Sequence, residues 1–136
     1  MHRALIALTT VSLFLVGACG SNPSGPSNPP STPGDIDIVV GASLLTTGAF
    51  SPNPKTVALG GGASIAVRWV NTDAGSGGYG GGGGVAHRIA SDNGAFTTSP
   101  TLAPGATYSV NLTQAGTYAF HCEIHPNMVG TITVSP

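Results

Sequence analysis

Short apolar runs separated by turn-forming residues set the pattern of the chain from about residue 35 onward. Val, Ile, Thr and Tyr alternate with polar side chains, and Gly, Pro, Asn and Ser interrupt the runs. Helical periodicity is nearly absent, so the pattern predicts an all-β fold, and many short strands favour a sandwich of two sheets. The predicted strands lie at residues 37–40, 64–70, 85–91, 107–112, 117–122 and 130–134, with a weaker candidate at 55–59.

Strand alternation orients the side chains of the predicted strand 117–122. Tyr118, Phe120 and Cys122 share one face, which we expect to be the core face because two of these side chains are aromatic. Cys122 then emerges from the core at the end of a rigid strand. His121 points away from that face and is not expected to bind a metal.

Residues 75–84 form a glycine-rich, low-complexity segment with a literal G-x-G-x-x-G at residues 75–80. A phosphate-binding loop of this type requires a helix to begin there. More glycine and then a predicted strand follow instead. The segment is therefore predicted to be a flexible loop.

The first 18 residues have the layout of a bacterial lipoprotein signal peptide. A short basic start precedes an apolar segment at residues 4–18 that is too short to span a bilayer comfortably. This segment runs into Val16-Gly17-Ala18-Cys19, which resembles a lipobox with Val16 in place of the more usual Leu. Cleavage before Cys19 would leave its thiol for lipidation. The alternative is an ordinary signal peptide followed by an incidental cysteine.

Three segments are therefore predicted: a signal peptide at residues 1–18, a lipidated Cys19 with its tether at 19–34, and one folded domain at 35–136. The tether has five prolines and no large apolar side chain between residues 20 and 34, so it cannot form a core. We expect a protein of the bacterial cell envelope, periplasmic or on the outer surface, that is held at the membrane by lipid.

Charged residues are scarce, which limits the possible partners. The chain has four Lys and Arg residues and five Asp and Glu residues, without a basic stripe, so nucleic acid is not an expected partner. Its two cysteines exclude a disulfide framework. A bridge between Cys19 and Cys122 is disfavoured because it would use up both the anchor and the best metal ligand. We expect a monomer.

The residues near the C-terminus carry the chemistry. Cys122, His125 and Met128 follow a C-x2-H-x2-M spacing, and His87 lies upstream. One thiolate, two imidazoles and one thioether form the ligand set of a type 1 blue-copper site, with Met as the weak axial ligand. Soft sulfur favours Cu(I), whereas imidazole suits both oxidation states. The set predicts one copper ion that cycles between Cu(I) and Cu(II), and electron transfer as the leading function.

Two other interpretations of these residues are less favoured. Cys122 could be a buried thiol, His125 a loop residue and Met128 a core side chain, but their joint spacing and the upstream His87 argue against coincidence. Zinc is the other candidate metal. Zinc sites use Cys, His and carboxylate ligands, so a Met ligand argues against it.

Further segments follow a recognisable order along residues 65–134, and together they resemble the cupredoxin family, specifically its small plastocyanin- and amicyanin-like members. The resemblance implies a Greek-key β-sandwich with one mononuclear type 1 copper, and electron shuttling outside the cytoplasm. It maps the ligands onto His87, Cys122, His125 and Met128. The segments that carry it are Trp69-Val70-Asn71-Thr72-Asp73, His87 opening a strand, Leu102-Ala103-Pro104-Gly105, and Gly116-Thr117-Tyr118-Ala119-Phe120-His121-Cys122 with the ligand loop.

The resemblance also implies where partners bind. In such proteins the second histidine reaches the surface through an apolar patch, where electrons enter or leave. Here that histidine is His125, with Pro126 and Leu102 expected nearby. We therefore expect redox protein partners, of unknown identity, to dock near His125.

The chain departs from the family pattern at two places. The glycine-rich segment separates Asp73 from His87, where the family has only a few residues. Arg88 and Glu123 follow two of the ligands, at positions where the family often has small neutral side chains that pin the ligand segments together. We predict that Arg88 and Glu123 form an ion pair that replaces this contact. The alternative is two unrelated surface charges.

Three functions remain to be compared. The favoured one is a membrane-tethered, extracytoplasmic one-electron carrier, and the alternative is a copper-binding or copper-delivery protein without a dedicated redox partner. A copper enzyme is least favoured. Apart from His2, only His87, His121 and His125 are available, and an enzyme with several coppers needs more histidines. We do not expect an enzyme.

Overall fold

The computed structural model describes residues 35–74 and 83–136. Within these ranges, no helix has the length and apolarity that a membrane span requires. The predicted signal peptide, Cys19, the tether and residues 75–82 of the glycine-rich segment lie outside the described residues. The described elements are β1 (Asp35–Ile38), a 3-10 turn (Ala42–Leu44), β2 (Phe50–Ser51), β3 (Lys55–Ala58), β4 (Ile65–Asn71), β5 (Ile89–Ser91), β6 (Thr107–Leu112), β7 (Gly116–Cys122) and β8 (Val129–Ser135).

The strands form two four-stranded sheets. The first sheet has the order β2-β1-β4-β6 and the second has the order β3-β8-β7-β5. The pairs β1 with β4 and β3 with β8 are parallel, and the other pairs are antiparallel. From β4 to β7 the chain alternates between the two sheets. The predicted all-β sandwich is therefore confirmed.

Most predicted strands are confirmed to within one residue at each end. The prediction at 107–112 has the same bounds as β6, and 55–59, 64–70, 117–122 and 130–134 correspond to β3, β4, β7 and β8. The first strand begins two residues before its predicted start, because Asp35 already pairs with Arg68 of β4. The two-residue strand β2 is too short to carry an alternating pattern, and it was not predicted.

The prediction of a continuous strand at 85–91 is wrong. Only Ile89–Ser91 form a strand, whereas the residues before it bond to three different parts of the chain. The Val85 N–H donates to the Asp73 carbonyl, His87 forms an isolated bridge with Leu102, and the Arg88 carbonyl accepts from the Glu123 N–H. Apolar alternation in the sequence cannot reveal such changes of partner.

Three large aromatic side chains fill the space between the sheets. Trp69 of β4, Phe50 of β2 and Phe120 of β7 are at most 2% exposed. The Phe120 ring centroid lies 5.2 Å from that of Trp69 and 4.8 Å from that of Phe50, both in edge-to-face geometry. The predicted core face of β7 is confirmed, since Phe120 and Cys122 are buried and Tyr118 is half-buried.

A charged pair ties the first strand to its neighbour. Asp35 lies opposite Arg68 in the parallel register of β1 and β4. The Arg68 Nε donates to Asp35 Oδ1 over 2.9 Å, and Nη2 donates to Oδ2. This two-point contact fixes where the chain enters the first sheet.

Gly130 provides a test of this packing, because it lies opposite Phe120 in the β7–β8 pair. A Cβ at Gly130 would lie 2.7 Å from Phe120 Cε2, and the ring is already held by Trp69 and Phe50. We expect Gly130→Ala to lower the free energy of unfolding by about 1–3 kcal/mol through overpacking. Urea unfolding of the copper-free protein would measure this.

Gly83→Ala is the matched control, since a Cβ there has no atom within 4 Å. It should leave the unfolding midpoint nearly unchanged. Equal stability of the two variants would show that the Phe120 ring can move aside without cost.

Candidate metal centre

Cys122 lies at the last position of β7, where a neighbouring segment crosses it closely. Its side chain is fully buried, and Ile89 of β5 is its partner in the sheet. The Arg88 N–H, one residue earlier, donates to Cys122 Sγ over 3.4 Å. On the other side the Glu123 N–H donates to the Arg88 carbonyl over 2.8 Å. The sulfur is thus held against the segment that carries His87.

A tight loop after Cys122 presents the next two candidate ligands. The His125 N–H donates to the Cys122 carbonyl, and the Met128 N–H donates to the His125 carbonyl. The Cys122 N–H donates in turn to the Met128 carbonyl over 3.0 Å, which closes the loop. His125 is half-buried, whereas Met128 is fully buried and belongs to the core.

His87 reaches the same place from the other side. It is fully buried, and its backbone exchanges two hydrogen bonds with Leu102, over 3.0 and 2.7 Å. Leu102 is only 2% exposed. The expectation that Leu102 belongs to a surface patch beside His125 is therefore wrong, because its side chain lies in the core and its backbone holds His87.

Three donor atoms converge in the folded chain. Cys122 Sγ lies 3.7 Å from His87 Nδ1 and 3.7 Å from His125 Nδ1. All three atoms are within 4.8 Å of one another, and the two imidazole centroids are 5.1 Å apart. Each histidine therefore turns its Nδ1 toward the sulfur, as a shared metal ion requires.

The electrostatics of this cluster favour a thiolate. Burial raises the pKa of the Cys122 thiol, but hydrogen bonds from His87, from the Arg88 N–H and from His125 outweigh burial and lower the pKa to about 6. Burial lowers the pKa of His87, and its contacts with Cys122 and Asp73 more than offset this, so that the net pKa is raised. At neutral pH the sulfur is thus mostly in the form that binds soft metals.

Asp73 belongs to this site, although from the sequence it was named only as part of a family-like segment and was given no role. Its carboxylate Oδ2 lies 3.0 Å from His87 Nε2, and both side chains are fully buried. Asn71 lies beside it and donates from Nδ2 to the carbonyls of Val85 and Leu102, over 2.9 Å each. The available signal in the sequence was a pair of polar residues, Asn71 and Asp73, at the end of the apolar strand β4. The sequence alone does not give the partners of these residues.

Arg88 and Glu123 lie together at the surface, beside the buried ligands. Arg88 Nε is 3.2 Å from Glu123 Oε2, and the side chains are 46% and 40% exposed. The same Nε donates to the Ser99 carbonyl over 3.1 Å. Their role in aligning the ligand segments stays a prediction.

His121 lies apart from the donor cluster. Its Nδ1 is 2.6 Å from Asp92 Oδ1, and both side chains are partly exposed. It points to the opposite side of β7 from Cys122, as strand alternation predicts.

The comparisons with known proteins agree with this geometry. The sequence model of the Cupredoxin-like domain family matches residues 35–134, well over half of the chain. The chain belongs to the cupredoxin family. The Greek-key, cupredoxin-like sandwich predicted from the sequence is thereby confirmed, and the four predicted ligand positions all lie in the matched part of this cupredoxin.

Individual relatives include a purple cupredoxin, an amicyanin variant and a plastocyanin. A purple cupredoxin from Nitrosopumilus maritimus has 28% sequence identity and a TM-score of 0.58, over 74% of this chain and 98% of that one. An amicyanin variant in its reduced Cu(I) form has 23% identity and a TM-score of 0.54, over 74% of this chain and 80% of that one, which shows the shared fold.

The plastocyanin of Sambucus nigra is 57% identical over 35 residues, which are 24% of this chain and 35% of that protein. The match therefore spans only about a third of the plastocyanin's length.

The donor set of this cupredoxin fits copper, the cofactor of its family. A low-pKa thiolate, two Nδ1 donors and a buried Met combine soft and intermediate ligands, which suits both copper oxidation states. Zinc sites lack Met ligands, so the set fits zinc less well. His87, Cys122, His125 and Met128 would hold one copper ion, and this ion would supply a Cu(I)/Cu(II) couple.

A double-mutant cycle tests the ion pair beside the site. We expect Arg88→Gln and Glu123→Gln to couple weakly in the free energy of unfolding, by about 0–1 kcal/mol, because the pair is exposed. In the copper-loaded protein, the effects of the two substitutions on the reduction potential should be non-additive, because the pair joins the residues that follow His87 and Cys122. Additive effects on the potential would mean that the two charges are neighbours without an aligning role.

Proposed function

We propose that this protein is a mononuclear copper protein that carries single electrons outside the cytoplasm, tethered to a membrane through Cys19. The observation that carries the proposal is the convergence of Cys122 Sγ with the Nδ1 atoms of His87 and His125. Family membership supports it, since cupredoxins are mostly electron carriers.

The way the ligands are held suits repeated electron transfer. His87 is fixed by two backbone hydrogen bonds to Leu102, and the loop from Cys122 to Met128 is closed by three more. Ligands fixed by the fold move little when the copper changes charge, so little reorganisation opposes electron transfer. A site that delivers copper needs the opposite, a ligand that can be released easily.

The surface around His125 suits the docking of a redox partner. His125 is half-buried, and its neighbours Ile124 and Pro126 are exposed, Ile124 to 47%. An exposed apolar side chain beside a ligand that contacts both the copper and the surface gives a partner a short path to the metal. The partners are redox proteins of unknown identity, and we expect no enzymatic activity from the chain alone.

Copper loading with two variants tests the carrier function. The oxidised protein should have an intense visible band from charge transfer between Cys122 sulfur and Cu(II), and Cys122→Ser should abolish it because oxygen is a harder donor. The wild-type protein should exchange electrons rapidly between its Cu(I) and Cu(II) forms and release copper slowly to a chelator. His121→Ala is the matched control, which should keep the band. Slow electron exchange with fast copper release would support the alternative, a copper-delivery protein.

Attachment through Cys19 is a separate part of the proposal. This part is supported by the lipobox-like sequence that ends at Cys19 and by the proline-rich segment that follows it at residues 20–34. We expect Cys19→Ser to release a soluble domain that still binds copper, because stable attachment depends on the acyl chains. Fractionation of cells that express each form would measure this. If the processed variant stays with the membranes, the anchor is not at Cys19.

A further inference from the structure

Asp73 determines which nitrogen of His87 faces the donor cluster. The Asp73 Oδ2 and His87 Nε2 atoms are 3.0 Å apart, and neither side chain is exposed to solvent. An ionised carboxylate can only accept hydrogen bonds, so Nε2 must donate. Nδ1 is then the nitrogen that can give up its proton to bind a metal, and it faces Cys122 Sγ, 3.7 Å away. Hydrogen bonds of this kind fix the tautomer and ring orientation of metal-binding histidines.

The Asp73 carboxylate is itself held in place. Its Oδ1 accepts the Gly41 N–H over 2.8 Å, and its own N–H donates to Asn71 Oδ1 over 2.9 Å. Asn71 Nδ2 also donates to the carbonyls of Val85, two residues before His87, and of Leu102, the bridge partner of His87. A carboxylate fixed at both oxygens cannot turn away when the charge of the site changes.

Burial gives this carboxylate an electrostatic effect that a surface charge would lack. Asp73 and His87 are screened from water on all sides, and charge interactions are stronger in a medium of low dielectric constant. A negative charge one imidazole ring away from the metal stabilises Cu(II) more than Cu(I).

We propose that Asp73 is a positioning residue of the copper site that orients His87 and lowers the reduction potential of the bound copper. The proposal rests on copper binding at His87, and so on the proposed function. The proposal extends the proposed function by assigning control of the reduction potential to a residue that does not bind the metal.

The chain contains a matched control for this pair. Asp92 and His121 also form a carboxylate–imidazole contact, 2.6 Å long, and His121 is next to Cys122 in sequence. Their side chains are 46% and 34% exposed, and His121 lies outside the donor cluster. The same substitution in each pair therefore separates the effect of a buried charge beside a ligand from that of an exposed charge beside a histidine outside the donor cluster.

The experiment compares Asp73→Asn with Asp92→Asn in the full chain loaded with copper. Asn at position 73 keeps an oxygen acceptor but removes the charge. We expect Asp73→Asn to shift the ratio of Cu(II) to Cu(I) affinity roughly tenfold toward Cu(I). For a one-electron couple this raises the reduction potential by about 59 mV. Asp92→Asn should shift it far less, and Asp73→Glu should restore most of the wild-type value.

Equal shifts in the two Asn variants, or no shift in Asp73→Asn, would overturn the proposal. If Asp73→Asn fails to fold, nuclear magnetic resonance of the wild-type Cu(I) protein tests the contact between Asp73 and His87 instead. A slowly exchanging His87 Nε2–H proton at a strongly hydrogen-bonded shift supports the proposal, and a rapidly exchanging proton at an ordinary shift refutes it. Slow electron exchange together with a shifted potential would instead refute the carrier function and leave the role of Asp73 intact.

Discussion

The pairing of β5 with β7 is the constraint on which the candidate site depends. Ile89 lies opposite Cys122, and this register brings the Arg88 N–H to the sulfur and the Glu123 N–H to the Arg88 carbonyl. A slip of one residue would turn Cys122 toward the opposite face of the sheet. β5 is only three residues long, so packing in the core must hold its register against β7. Phe120, two residues before Cys122 and packed between Phe50 and Trp69, provides that support.

The fold was largely predictable because most strands are long enough to show alternation. β6 and β8 bury every second side chain along much of their length, and apolar alternation of this kind is visible in the sequence. The segment before β5 could not be predicted in the same way. Its residues bond in turn to Asp73, Leu102 and Glu123, and which of these partners is near depends on the complete fold.

The site was predictable where its residues are close in sequence. Cys122, His125 and Met128 lie within one loop, so their spacing suggested a shared metal, and His87 was added because a type 1 copper ligand set needs a second imidazole. Asp73 was not assigned a role, because its partner His87 lies 14 residues away, beyond the glycine-rich segment. A carboxylate at the end of a strand is ordinary in a sequence. It becomes informative only when the structure shows that it is buried and that it faces a histidine.

The contact between Asp35 and Arg68 fixes the end of the first sheet at which β1 begins. β1 runs parallel to β4, from the level of Arg68 to that of Asn71, and Asn71 belongs to the hydrogen bonds around His87. At about 3.3 Å per residue, β1 begins roughly 10 Å below that level. The chain thus enters the sheet from the side remote from the metal centre. If Cys19 carries a lipid anchor, as proposed, the tether would join the domain at the end opposite the metal centre.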